Sequence, residues 1–179
     1  MSNKAVKYIR ECFKNAHGQL EATMADVTNE QAMWKPAGTA HPISGTYAHL
    51  IFSEDMIVQG LMRKTQPLMM GAYAGKTGAN KPMPGMGPEW AQYGQWANTV
   101  KIDLKQLREY AQAVYKTTDE YVASLVDEDL EKTVDLSGMG MGQKTFAYLF
   151  DRFLVGHTDS ICGEIAVLKG LQGLKGYPF

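Results

Sequence analysis

The stretch NKAVKYIRECFKNAHGQLEATMADV, residues 3–27, decides the fold class. Val6, Ile9, Phe13, Ala16, Leu20, Met24 and Val27 recur at spacings of three and four, which lays one apolar stripe along a helix. Lys4, Lys7, Arg10, Glu11, Lys14 and Glu21 fill the opposite side. A helix with one such stripe has to bury it against partners, so the rest of the chain is read for those partners.

Three further segments supply them. After a turn at Thr28–Gln31 and a breaker cluster at Trp34-Lys35-Pro36 and Gly38, a second helix is expected to start at Ser44 or Thr46, with Ser44 accepting first-turn amides. It buries Tyr47, Leu50, Ile51, Ile57, Val58 and Leu61 and runs to about Lys64. A third helix is expected over Thr99–Leu125, with Leu107, Ala111, Val114, Thr118, Tyr121 and Leu125 inward. Thr145 can cap a fourth, which carries Phe146, Leu149, Phe150, Phe153, His157, Ile161, Ile165 and Leu168. Val134–Leu136 reads as a short extended piece before the glycine-rich loop Ser137–Gly142, and the acidic residues Asp127–Asp129 and Glu131 as a solvated helix end. The expected fold is all-α, a four-helix bundle.

Between helices two and three the chain changes character. Residues 65–98 are rich in glycine, proline and methionine and also carry Tyr73, Trp90, Tyr93 and Trp96. So long a connection suits a functional loop or crossover, and its residues 88–97 read as a short helical piece. With residues 171–179 as a C-terminal tail, a single domain over 1–179 is expected: folding 179 residues buries about 70% of the surface of the unfolded chain.

Composition narrows the function classes. A formal net charge of −1 excludes a strongly basic nucleic-acid binder. Two cysteines, Cys12 and Cys162, exclude a disulfide-stapled scaffold and CxxC zinc sites. No apolar run reaches membrane-spanning length and residues 1–17 form no apolar signal core, so a cytoplasmic protein without membrane or nucleic-acid partners is expected.

The four histidines are the candidate chemistry, because no GxSxG, HExxH or GxGxxG motif is present. His157 lies four residues after Phe153 and four before Ile161, on the inward side of helix four. His49 sits beside the Leu50 stripe of helix two, and His17 on the stripe of helix one. Each taken singly reads as a core histidine bonded to a hydroxyl or carbonyl, and His41, before a proline, as a surface residue. Inward imidazoles on different helices of a bundle equally suit a transition metal, so both alternatives stay open. Cys162, next to Ile161, points away from the His157 side.

Trp34-Lys35-Pro36, then Thr46-Tyr47-Ala48-His49-Leu50-Ile51 with Glu54-Asp55, then Thr145-Phe146 leading through Gly156-His157 to Cys162-Gly163-Glu164-Ile165, resemble the DinB superfamily. The resemblance implies a four-helix bundle with a long connection between helices two and three, and a homodimer. It implies metal-dependent chemistry, with thiol-dependent transferases and isomerases among the relatives. The family's metal site takes one histidine from helix two and two from helix four, four residues apart. His49 matches the first and His157 the second, while the third position falls on Ile161, which cannot bind a metal.

Two readings follow. In the first, a zinc or nickel ion at His49 and His157 supports hydrolysis or thiol transfer, with residues 65–98 covering the pocket and Glu54 or Asp55 orienting an imidazole. His17, Ser160 and Glu164 are the candidates for a missing ligand; Glu164 lies about 10 Å further along the helix and serine is a poor ligand. In the second, the bundle has lost its metal and binds a small molecule in a cavity lined by methionine and aromatic side chains.

Overall fold

The structure, a computed structural model, describes residues 3–179. Helices α1 (Lys4–Met24), α3 (Ile43–Asp55), α5 (Leu104–Ala123) and α7 (Gly156–Leu171) are the long elements of the bundle. Helix α1 packs on α5 and α7, and α3 packs on the same two, so α1 and α3 face each other across the bundle. The only sheet among the described residues is an antiparallel pair, β1 (Thr133–Asp135) with β2 (Gln143–Thr145), in the register Thr133↔Thr145. Among the described residues no helix is long and apolar enough to cross a membrane.

The amphipathic reading holds for α1 and α5, each of which buries one stripe and exposes the other side. It fails for α3, whose residues are buried without exception. A helix buried all round carries its polar residues inward, and each then needs a partner. His49 meets Ser53, Glu54 meets His17 and Thr118, and Asp55 meets Tyr110. Asp55 also accepts from the amides of Leu68 and Met69, which ties the start of the long connection to the central helix.

The helices that carry His49 and His157 each adjoin a π-helical turn. Helix α3 continues as a π-helix over Met56–Met62, which ends before Lys64 at a φ of 55°. Helix α7 is entered from α6 (Phe146–Tyr148) through a π-helix over Leu149–Val155, and Thr145 caps this unit through the amide of Tyr148. Such turns bond i to i+5 and cluster at functional sites.

Several local expectations are corrected. Helix α3 starts one residue before Ser44, which is buried and makes no cap; Pro42 holds the N-cap position instead. Thr28–Gln31 is not a turn but a capping box that opens a short helix, α2 (Asn29–Met33). Helix α5 begins at Leu104, not Thr99, because Asp103 caps it through the amides of Lys105 and Gln106. The connection contains the expected helical piece, a 3-10 turn over Pro88–Gln92 and α4 (Tyr93–Ala97), and Gly45 lets α3 and α4 touch. A Cβ there would lie 2.5 Å from the Ala97 carbonyl oxygen.

The ends of α1 are closed by distant residues. It has no side-chain cap of its own, and the Asp127 carboxylate accepts from the amides of Ala5 and Val6. Asp127, read as part of a solvated helix end, is therefore a cap. At the other end, buried Lys169 donates to the Thr23 carbonyl at 2.6 Å and pairs with Asp26, while Arg108 donates to the Met24 carbonyl. An anion at the N-terminus and cations at the C-terminus complement the helix dipole.

Candidate functional site

His49 and His157 meet between α3 and α7 with ring centroids 5.1 Å apart and planes at 66°. His49 is 9% exposed, and its Nδ1 shares a 3.2 Å hydrogen bond with the hydroxyl of Ser53, one turn further along the helix. Tyr93 and Trp90, stacked on each other at 4.6 Å, also pack on His49, at 4.9 and 5.3 Å. The long connection thus supplies one wall of the site.

These groups open on a cavity of about 820 Å³, of the size that holds small organic ligands. Its apolar surface comes from Ile57, Met86, Trp90, Met139 and Phe153, and its polar groups are the two histidines, Ser53, Ser160 and Arg152. Met86, Gly87 and Pro88 of the methionine-proline-glycine stretch lie in the wall, and Gly138 and Met139 come from the loop between β1 and β2. A concavity of similar size, about 840 Å³, lies between α1 and α5. Charged side chains such as Lys7, Arg10, Lys14 and Asp119 dominate it, whereas the histidine cavity joins apolar walls to a few convergent polar groups.

Burial sets the protonation of the pair. It pushes the His49 pKa down to about 3, with the neighbouring His157 and His41 adding to the effect. Burial also lowers His157, against a smaller upward pull from the Phe153 carbonyl. Both rings are therefore neutral at pH 7, each with one donor and one acceptor nitrogen.

The other candidate residues lie elsewhere. His17 bonds Glu54 at 2.8 Å, stacks on Tyr115 at 3.8 Å and lines the α1–α5 groove rather than the histidine cavity. Glu54 and Asp55 are engaged by His17, Thr118 and Tyr110, so neither orients His49 or His157; Ser53 contacts His49 instead. Ile161 is buried in the core, Glu164 is exposed outside the cavity lining, and the Ser160 hydroxyl donates to the Gly156 carbonyl. His41 is not solvated: it is half-buried, bonded to the Asn98 amide and edge-on to Tyr93. Cys162 faces α1, with its sulfur 3.3 Å from the Thr23 hydroxyl.

A three-ligand metal centre does not fit this donor set. Among the described residues no three His, Cys, Asp or Glu side chains come together as ligands, and no acid lines the cavity. A catalytic zinc site takes three protein ligands and a water.

The helical bundle agrees with the comparisons. The sequence model of the DinB superfamily matches residues 13–159, and the chain belongs to that superfamily. Among solved structures, the crystal structure of a conserved protein from Enterococcus faecalis aligns with a TM-score of 0.78 at 18% identity, covering 95% of this chain and 98% of that one. At that identity the likeness is one of fold. No curated protein matches the sequence.

Proposed function

We propose that the cavity between α3 and α7 binds a small organic molecule, held by His49 and His157 as neutral hydrogen-bonding groups. The observation that carries this reading is the pairing of two uncharged imidazoles with apolar walls and no carboxylate. Neutral imidazoles can each donate to and accept from a ligand without the desolvation cost of a buried ion. Met86 and Met139 add flexible, polarizable surface that adapts to ligand shape.

A second reading, a DinB-type enzyme with a zinc or nickel ion at His49 and His157, draws support from the facing rings and from the frequency of metals in the superfamily. It would hold the metal by two protein ligands only. Metal content by mass spectrometry of untagged protein, with His49→Ala and His157→Ala beside it, decides between the readings. Wild type free of zinc and nickel after reconstitution supports the binding reading. Near-stoichiometric metal lost in both variants overturns it in favour of the enzyme.

A further inference from the structure

Arg152 has no role in the reading so far, yet it lines the same cavity. It is exposed, and no carboxylate among the described residues lies within ion-pair distance of it; the ion pairs formed are those of Arg10, His17, Lys116, Lys132 and Lys169. Neither neighbouring Asp151 nor Asp159 lines the cavity. No acid and no other arginine or lysine lines the wall, so the guanidinium is the cavity's one permanent charge.

Its position depends on the π-helical turn. In an α-helix, residues five apart do not share a face, because the neighbours of i are i+3 and i+4. Arg152 and His157 are five apart, and the π-helix over Leu149–Val155 brings both to one cavity. Phe153 and Trp90 provide apolar wall there, so an exposed cation and two imidazoles share one apolar chamber.

The geometry points to an amphipathic organic carboxylate as the ligand class, its carboxylate held by Arg152 and its apolar body seated against Trp90 and Phe153. A polar atom at the far end of the ligand meets the His49–His157 pair. Guanidinium and carboxylate match as a planar, two-pronged pair, which makes arginine the side chain suited to this task. A lone cation also disfavours a divalent metal in the same space. This inference rests on the small-molecule reading of the cavity.

The test is calorimetric titration with matched pairs that differ only in charge: 2-naphthoate and 2-naphthamide, 4-phenylbutyrate and 4-phenylbutyramide, octanoate and octanamide. The wild type should bind at least one carboxylate about tenfold more tightly than its amide, as a charge-assisted hydrogen bond implies. Arg152→Gln should bring that pair close to parity, weakening the acid about tenfold more than the amide, and Arg152→Lys should keep part of the preference. Because Arg152 is exposed, both variants are expected to fold, which circular dichroism checks. Equal binding of acid and amide, or a preference that survives Arg152→Gln, overturns the inference. If both then weaken in His157→Ala, the small-molecule reading stands without it. Failure of every compound to bind the wild type overturns both.

Discussion

His17 of α1 and Glu54 of α3 meet across the bundle, Nε2 to Oε2, at 2.8 Å, and the carboxylate is only 1% exposed. Thr118 of α5 donates to the other carboxylate oxygen at 2.7 Å, so one buried acid ties three helices together. Removing His17 strands that acid. His17→Ala should lose about 1–3 kcal/mol of stability in urea denaturation, the cost of leaving a buried polar group without its partner. Glu54→Gln should cost less, because the amide oxygen still accepts from Thr118 and leaves no charge behind. Equal losses in the two variants would count against Glu54 as the group that is stranded.

The acid side of the stability profile should carry the mark of His49. Its folded-state pKa of about 3 lies below the ordinary histidine value of 6.5, so between these values the unfolded chain binds a proton that the native chain does not. Stability from this group is complete above pH 6.5 and is lost as pH falls toward 3, at no more than about 1.4 kcal/mol per pH unit. His157 is shifted in the same direction and adds to the loss. Urea denaturation at pH 7 and pH 5 should show a smaller loss in His49→Gln than in wild type.

Gly45 controls the packing on His49 from a distance. The added Cβ of Gly45→Ala would stand 2.5 Å from the Ala97 oxygen and 2.9 Å from its Cα, and both are backbone atoms that cannot rotate aside. Helices α3 and α4 must separate, at a cost of about 1–3 kcal/mol. Tyr93 lies on α4 and should lift from His49 with it. A change in the His49 ring resonances together with lowered stability is the expected result; lowered stability with unchanged resonances would sever the link to the site.

Ile161 stands one helical turn beyond His157, on the same face. Ile161→His supplies the imidazole that the family pattern has there. It should raise zinc affinity at least about a hundredfold over wild type in a chelator competition, within the range that a completed coordination shell contributes. No gain would show that the pair is not set at a metal-binding geometry even when a third donor is offered.

Asp127 should behave as a helix cap although it lies in another part of the chain. Asp127→Ala removes the acceptor for two α1 amides and should cost about 1 kcal/mol, with faster hydrogen exchange confined to the first turn of α1. Unchanged exchange there would remove the capping role.

How much of this was legible depended on the periodicity of each helix. Helices α1 and α5 are half solvated, so their stripes stand out and placed Phe13, Leu20, Leu107 and Val114 in the core correctly. Helix α3 has no solvent face, and a search for one stripe could not show that Ser44, Ser53, Glu54 and Asp55 all turn inward. His49 and His157 were legible as an inward pair of candidates, but Ser53 was overlooked although it sits at the i+4 spacing from His49. Trp90 and Tyr93 gave no signal of their target, since contacts across about forty residues leave no local pattern. Arg152 escaped because a 3.6-residue period puts it off the His157 face, and nothing in the residues announces a π-helical turn. The capping box at Thr28 and Gln31 was readable in principle from its spacing and was taken for a turn.

The closure of α1 has a consequence for the order in which the chain emerges. The groups that finish this helix, Arg108, Asp127 and Lys169, all leave the ribosome after it. A nascent chain that ends before Leu104 would hold α1 with both ends open and its stripe uncovered by α5 and α7. Helix α1 is thus made before every segment that secures it, and it becomes durable only when those segments have folded against it.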